Sequence, residues 1–250
     1  MASFAPEILA TVGTFPITNT VVHTLVVDSL LISISLYVSR TIKTIPSFFQ
    51  NTVESILESV LNLTDSIAHS AAQYIFPYVM SFFLFILTAN LTSLLPGFGT
   101  IGFYEDVEGK KELIPILRGA TSDINVTFAL ALVSVLATHM LSIKLTGIKD
   151  YVSRFFSLNP INLFVGMLEL VSEITKVLSL SFRLFGNIFA GEFTLATVSK
   201  LFAFLFPLPF LLLETIVGLV QSLVFAILTL VFMAILTTPH HPQHEEVIHT

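Results

Sequence analysis

From Thr215 to Leu236 the sequence carries no charged side chain. A membrane-crossing helix needs roughly 20 mostly apolar residues, and this run meets that length alone. It is not isolated. Apolar runs also cover Thr20 to Val38, Tyr74 to Leu95 and Asn125 to Ile143, and a longer one extends from Phe155 to Phe206. Only 11% of the residues are charged and 54% are hydrophobic, with a mean hydropathy of +0.89. A soluble domain carries about a quarter charged residues. Lipid must therefore be the solvent for much of the chain.

The spans are separated by breakers and charge. The first stops at Arg40 and Lys43, the second ends in LLPGFG, the third is followed by Lys144, Lys149 and Arg154, and Pro207 and Pro209 interrupt the fourth stretch. Asp28 falls inside the first run. Either the span begins near Asp28 and leaves the acid at the interface, or Asp28 faces protein within a bundle. Between the first two spans, Val53, Ile56, Leu57, Val60, Leu61 and Ile67 recur at helical spacing, with Glu54, Glu58, Asn62 and Asp65 on other faces. This is an amphipathic helix. Its polar face is acidic rather than Lys/Arg-rich, so it either meets a protein partner or is simply solvated.

The expected fold is an all-α membrane protein of about six helices. A segment 1–19 precedes the first span at 20–39, and the amphipathic helix occupies 46–70. Spans at 73–95 and 123–144 flank a polar loop at 97–122. A helix hairpin at 157–206 and 208–236 is followed by a polar tail at 237–250. The segments after the first and third spans carry Arg40, Lys43, Lys144, Lys149 and Arg154, against Lys110, Lys111 and Arg118 in the 97–122 loop. Positive-inside placement then puts the N-terminus and that loop outside. The tyrosines at 37, 74, 78, 104 and 151 fall near span ends or in loops, as interfacial anchors do. The first residues lack a positive n-region and include Glu7, so no cleaved signal peptide is expected.

Several functions are excluded. With 11 Lys and Arg and no basic patch, nucleic-acid binding is not expected. The chain has no cysteine, hence no disulfide or thiolate metal site. It has no glycine-rich phosphate loop, and no cofactor is expected. His240, His241, His244 and Glu245 could bind metal, but Pro239 and Pro242 disfavour a helical ligand face. A solvated tail is the expected reading, with no metal site.

The charge that matters most is Arg183, which has no charged neighbour from Val177 to Gly191. A charged side chain at mid-membrane costs roughly 2.5–3.5 kcal/mol even on insertion scales. Snorkelling rescues an arginine near a helix end, but apolar sequence continues on both sides here. Glu169, Lys176 and Arg183 follow at seven-residue steps, within about 40° of one helical stripe, and Asn187 lies one turn beyond. Glu192 is nine residues from Arg183 and turns to the opposite face, so it is not simply the arginine's ion-pair partner. On the last helix Glu214 and Gln221 share a face, and the proline break would let a hairpin bring Glu192 near Glu214. Gly186 and Gly191 flank Asn187, either for close helix approach or for local flexibility.

The string SFRLFGNIFAGE resembles the signature of the a subunit of F-type ATP synthases, and it is highly specific. DINVTFALAL, the NLTSLLPG ending of the second span and Gln221 in a C-terminal apolar helix resemble that family more weakly. The resemblance implies two long tilted helices wrapping a rotor ring of c subunits, with peripheral-stalk b subunits and other synthase subunits as partners. It implies that Arg183 is the essential stator arginine, that Asn187 is its polar partner on the same helix, and that Gln221 is the family's glutamine on the final helix. Glu192 and Glu214 would line one proton path, and Glu169, Ser172 and Lys176 the second. Two departures stand out. Many members pair a histidine with an acid where this chain has Glu192 and Glu214, and two carboxylates brought close could not both stay ionised. Where others carry Asp before Leu-Leu-Pro, this chain has Ser93.

The implied role is that of a non-catalytic, ion-translocating subunit in an energy-coupling membrane such as the bacterial plasma membrane. Each proton supplies about 2.3 kcal/mol per 100 mV, so several are needed per ATP. The alternative is a secondary transporter whose Arg183 binds an anionic substrate, although no internal repeat is evident. A membrane scaffold that tolerates loss of Arg183 is a third possibility.

Overall fold

In lipid a helix must satisfy its own backbone, and its ends need caps or turns. The computed structural model follows that rule over residues 6–95, 98, 101–107, 110–155, 160–201 and 207–238, the described part of the chain. Helix α1 (Asn19–Thr41) starts at Thr18, whose hydroxyl accepts from the Val21 N–H, and α2 (Phe48–Ala68) starts at Ser47 in the same way. Helix α3 (Ala72–Ser93) continues from α2 across a 3-10 turn at His69–Ala71. His69, with φ of 45°, marks the break between them. Asp123 caps α4 (Ile124–Thr146), and Gly147 at φ 88° ends it. The short α5 (Ile148–Phe155) leads towards α6 (Pro160–Leu201), and α7 (Pro207–Thr237) completes the order. Proline at the first position of α6 and α7 costs no hydrogen bond, because that N–H has no partner within the helix.

The chain is thus an all-α membrane protein with six continuous helical rods among its described residues when α2–α3 is counted as one. Four are long and apolar enough to cross a membrane: α1, the α2–α3 run, α4 and α7. Helix α6 carries the charged stripe and spans 42 residues, about 63 Å at the usual helical rise. That exceeds a hydrocarbon core of about 30 Å, so α6 must tilt or extend beyond it. Asp28 lies near the middle of α1, half-buried.

Two short hairpins, absent from the sequence-based expectation, occupy segments read there as irregular. Strands β1 (Ile8–Val12) and β2 (Phe15–Thr18) pair antiparallel, as do β3 (Gly102–Val107) and β4 (Lys110–Pro115). Both sit at the same end. Asn19 donates from its backbone to the Glu7 carbonyl at 3.1 Å and from its side chain to the Pro115 carbonyl at 3.4 Å. At the other end, Arg154 of α5 donates to the Ile235 carbonyl at 3.2 Å, and Ser142 of α4 to the Leu236 carbonyl at 2.6 Å. The chain has no cysteine, so single cysteines report cleanly on these two ends. Introduced at exposed Tyr104 and at Thr238, they should react with an impermeant maleimide from opposite sides of the membrane. Labelling of both from one side would overturn the number of crossings.

Helix α7 is central, packing against α2, α3, α4 and α6. One apolar cluster joins Val60, Ile75, Val79, Leu141 and Met233, and a second joins Phe82, Ile86, Ala131, Leu184 and Phe225. Helices in lipid gain little from apolar contact alone, so small hydroxyl pairs help to hold them. Ser134 meets Thr229 at 2.9 Å and Thr127 meets Ser181 at 3.2 Å. On α2 only a narrow stripe packs inward: Val60 and Thr64 are buried and Leu57, Leu63 and Ile67 flank them. Ile56 and Leu61, grouped with the apolar face by their spacing, remain exposed because α3 and α7 cover only one side of that helix.

Candidate functional site

The α6–α7 pair carries the polar residues singled out by the sequence. Arg183 lies on the exposed side of α6. Its Nη2 donates to Ser179 Oγ at 3.3 Å, and among the described residues it forms no ion pair. One turn on, Asn187 Nδ2 donates to Gln221 Oε1 of α7 at 2.9 Å. This bond ties α6 to α7 one turn from the arginine. Gly186 meets no atom within 4 Å, so it faces away from the rest of the chain.

Towards the hairpin end, Glu192 and Glu214 come together around two glycines. A Cβ on Gly191 would stand 2.7 Å from Glu214 Oε1, and one on Gly119 would stand 2.6 Å from Glu192 Oε1. A side chain at either position would have to move a carboxyl group aside. Glu192 bonds the Ser122 side chain and lies near Arg118. Glu214 is 5% exposed, and its Oε2 has no hydrogen-bond partner.

A second polar layer surrounds this pair. Thr121 donates to Asn90 Oδ1 at 2.7 Å, and Asn90 Nδ2 donates to the Gly218 carbonyl at 3.0 Å. His23, fully buried on α1, lies 2.9 Å from Thr92 Oγ1 and accepts the Ala120 N–H at 2.9 Å. Thr20 donates to Asp123 at 2.9 Å. The 3-10 turn at Ala120–Ser122 is thereby held against α1, α3 and α6. Sequence reasoning missed His23, Asn90, Gly119 and Thr121. Their only signal was polarity or small size next to apolar runs, and that does not say which helices meet.

At the opposite end a separate cluster forms. Arg154 Nε contacts Glu169 Oε1 at 2.8 Å as an ion pair, without completing a hydrogen bond from that N–H. Lys176 Nζ donates to Glu173 Oε1 at 2.6 Å and sits 4.7 Å from the centroid of the Phe232 ring. Glu173 Oε2 faces His139 Nε2 at 3.5 Å. Of the three residues assigned to a second path, Glu169 and Lys176 join this cluster, whereas Ser172 is exposed on α6. Glu173 and His139 were not singled out, and Tyr151 and Arg154 were read only as an interfacial anchor and an orienting charge. Glu173 lies about 80° around the helix from Arg183, off the charged stripe and on the buried side.

Arg183 stands between the two ends. Glu173 and Glu192 are about 28 Å apart along the helix axis, with Arg183 near the midpoint. Among the described residues no three His, Asp or Glu side chains gather as a metal site. The His240, His241, His244 and Glu245 tail lies outside the described residues. The arrangement is one exposed arginine, without an acid partner among the described residues, with a polar cluster on either side of it along α6.

Comparison with known proteins agrees with this architecture. The profile of the family described as ATP synthase A chain matches residues 20–234. "ATP synthase subunit a" of Moorella thermoacetica is 29% identical over 94% of this chain and 97% of its own length. The protein of the same description from Syntrophobacter fumaroxidans is 30% identical, covering 92% of this chain and 88% of that one. That from Trichlorobacter lovleyi is 32% identical, covering 86% and 85%. With the match running through all four apolar spans and the Arg183 helix between them, the chain belongs to the ATP synthase A chain family.

Proposed function

We propose that this chain is the ion-channel stator of a rotary ATP synthase, offering two half-paths that never join and a fixed positive charge between them. One observation carries the reading: Arg183 is exposed on the surface of a membrane-length helix and pairs with no acid among the described residues. A cation at that depth is costly without a counter-charge, and a carboxylate on a partner would supply one. A rotor carboxylate is neutral while it faces lipid and ionises beside the guanidinium. The same charge repels a proton from crossing directly between the half-paths.

In this mechanism Glu192, Glu214 and Gln221 serve the path on the hairpin side, with Asn187 positioning Gln221 beside Arg183. Glu169, Ser172 and Lys176 serve the other. The partners are a ring of c subunits against the exposed face of α6, b subunits of the peripheral stalk and the remaining synthase subunits, where ATP chemistry takes place. The membrane is the bacterial plasma membrane, with β3–β4 outside and the end of α7 in the cytoplasm, as the Lys/Arg distribution favours.

The rotor contact is testable without disturbing the polar groups. Ala190 is exposed and lies within about 20° of the Arg183 stripe. In the assembled complex, Ala190→Cys should cross-link to the rotor subunit. Leu136→Cys, 55% exposed on α4, should not. Equal cross-linking from both, or none from Ala190→Cys in an assembled complex, would remove the rotor from this face.

A further inference from the structure

The inner cluster contains groups that the half-path described above does not use, and His139 links two of them. His139, on the last turns of α4, touches residues from both α5 and α6. Its Nδ1 lies 3.0 Å from the Tyr151 hydroxyl and its Nε2 lies 3.5 Å from Glu173 Oε2. The ring is held edge-on by Tyr151, centroids 5.9 Å apart, and is flanked by Phe155 at 6.5 Å. Glu173 is 7% exposed, and its other oxygen bonds Lys176. The surrounding charges are already matched as Glu173 with Lys176 and Glu169 with Arg154. His139 therefore adds a titratable group to a locally balanced set.

We propose that His139 is a proton carrier at the inner end of the half-path, passing protons between buried Glu173 and the half-exposed Tyr151 on α5. The inference rests on the stator reading of the chain and moves the inner route away from exposed Ser172. Imidazole is the side chain suited to exchanging protons near neutral pH, and its two nitrogens can bind on one side and release on the other. A proton leaving Glu173 binds Nε2, giving the imidazolium. The Nδ1 proton then leaves towards the Tyr151 oxygen, which passes its own hydroxyl proton to water. Glu173 first takes this proton from the rotor side and, on giving it up, returns to the carboxylate that pairs with Lys176. The ring ends neutral with its proton on Nε2, and exchange of that proton to Nδ1 through water resets it for the next. Burial, reinforced by the carboxylates of Glu173 and Glu169, pushes the Tyr151 phenol up. Tyr151 thus keeps its hydroxyl proton and works as a relay rather than as a fixed anion. Lys176, bonded to Glu173, lies on the stripe that leads to Arg183, which is about 15 Å further along the axis from Glu173.

The test uses the complete synthase in vesicles, with assembly measured separately. His139→Gln keeps size and hydrogen bonding but cannot carry a proton, and it should slow proton-driven ATP synthesis by about tenfold or more. His139→Ala should be slowed likewise and should be accelerated by imidazole added on the inner side. Wild-type synthesis in His139→Gln would overturn the proposal. So would an assembled His139→Ala that imidazole fails to accelerate, because the histidine would then be structural. Arg183→Lys, run in parallel, separates the two levels of inference. Full synthesis in that variant defeats the stator reading itself, whereas its loss beside an unaffected His139→Gln defeats only the relay.

Discussion

Arg183→Lys should abolish proton-driven ATP synthesis while leaving the complex assembled. Substitution by lysine keeps the formal charge, so an arginine needed only to balance a buried acid would tolerate it. No such acid accompanies Arg183 among the described residues, where its side chain hydrogen-bonds Ser179 Oγ at 3.3 Å. The remaining donors of the guanidinium are available to something outside the chain. Lysine is a poor replacement in that setting. Its ammonium is a compact charge that can lose its proton when desolvated, whereas guanidinium stays charged and offers a planar fork of donors. On the proposed mechanism Arg183→Ala removes the barrier altogether, and it should then also permit passive proton flow through the rotor interface. ATP synthesis and proton flux in vesicles measure the two effects. Wild-type synthesis in Arg183→Lys would sink the mechanism.

The fold was legible in the sequence where one physical demand dominates. The charge-free run to Leu236 admits little besides a membrane helix, and α7 spans it. The two hairpins were not legible. The 97–122 segment is polar and carries charges of both signs, so composition described a loop, while backbone pairing between β3 and β4 depends on register that composition does not reveal. Between Val12 and Phe15 the cue was Gly13, which sits at φ 64° in the turn, but the strands it joins are only five and four residues long.

The candidate site divides along similar lines. Glu169, Lys176 and Arg183 share a stripe because they lie on one helix, and helical periodicity reports such relations directly. Asn187 and Gln221 lie on different helices, and their 2.9 Å bond reflects how α6 packs on α7. Periodicity shows that each is polar within an apolar run but does not pair them. The link from α4 to α6 through His139 and Glu173 was invisible for the same reason. Glu173 is next to Ser172 in sequence, but it turns inward while Ser172 stays exposed.

The acid pair yields the second large effect. Glu192 and Glu214 reach one another across Gly191, on the side of α6 facing the Ala120–Ser122 turn. Two neighbouring carboxyl groups, Glu214 buried and Glu192 half-buried, one of them with an oxygen that has no hydrogen-bond partner, suit a site that takes up and hands on protons rather than one that stores fixed charge. Each of Glu192→Gln and Glu214→Gln keeps the shape and removes the exchangeable proton, so each should slow translocation by about tenfold or more. Gly191→Ala should slow it too, since its Cβ would fall 2.7 Å from Glu214 Oε1 and force the carboxyl aside. None of the three should make the membrane leaky, because Arg183, about 13 Å along the helix from Glu192, remains in place to separate the half-paths. That contrast with Arg183→Ala distinguishes a relay from a barrier. Proton leak through any of these variants, measured in vesicles without ATP turnover, would mean that the barrier lies at the acid pair and not at the arginine.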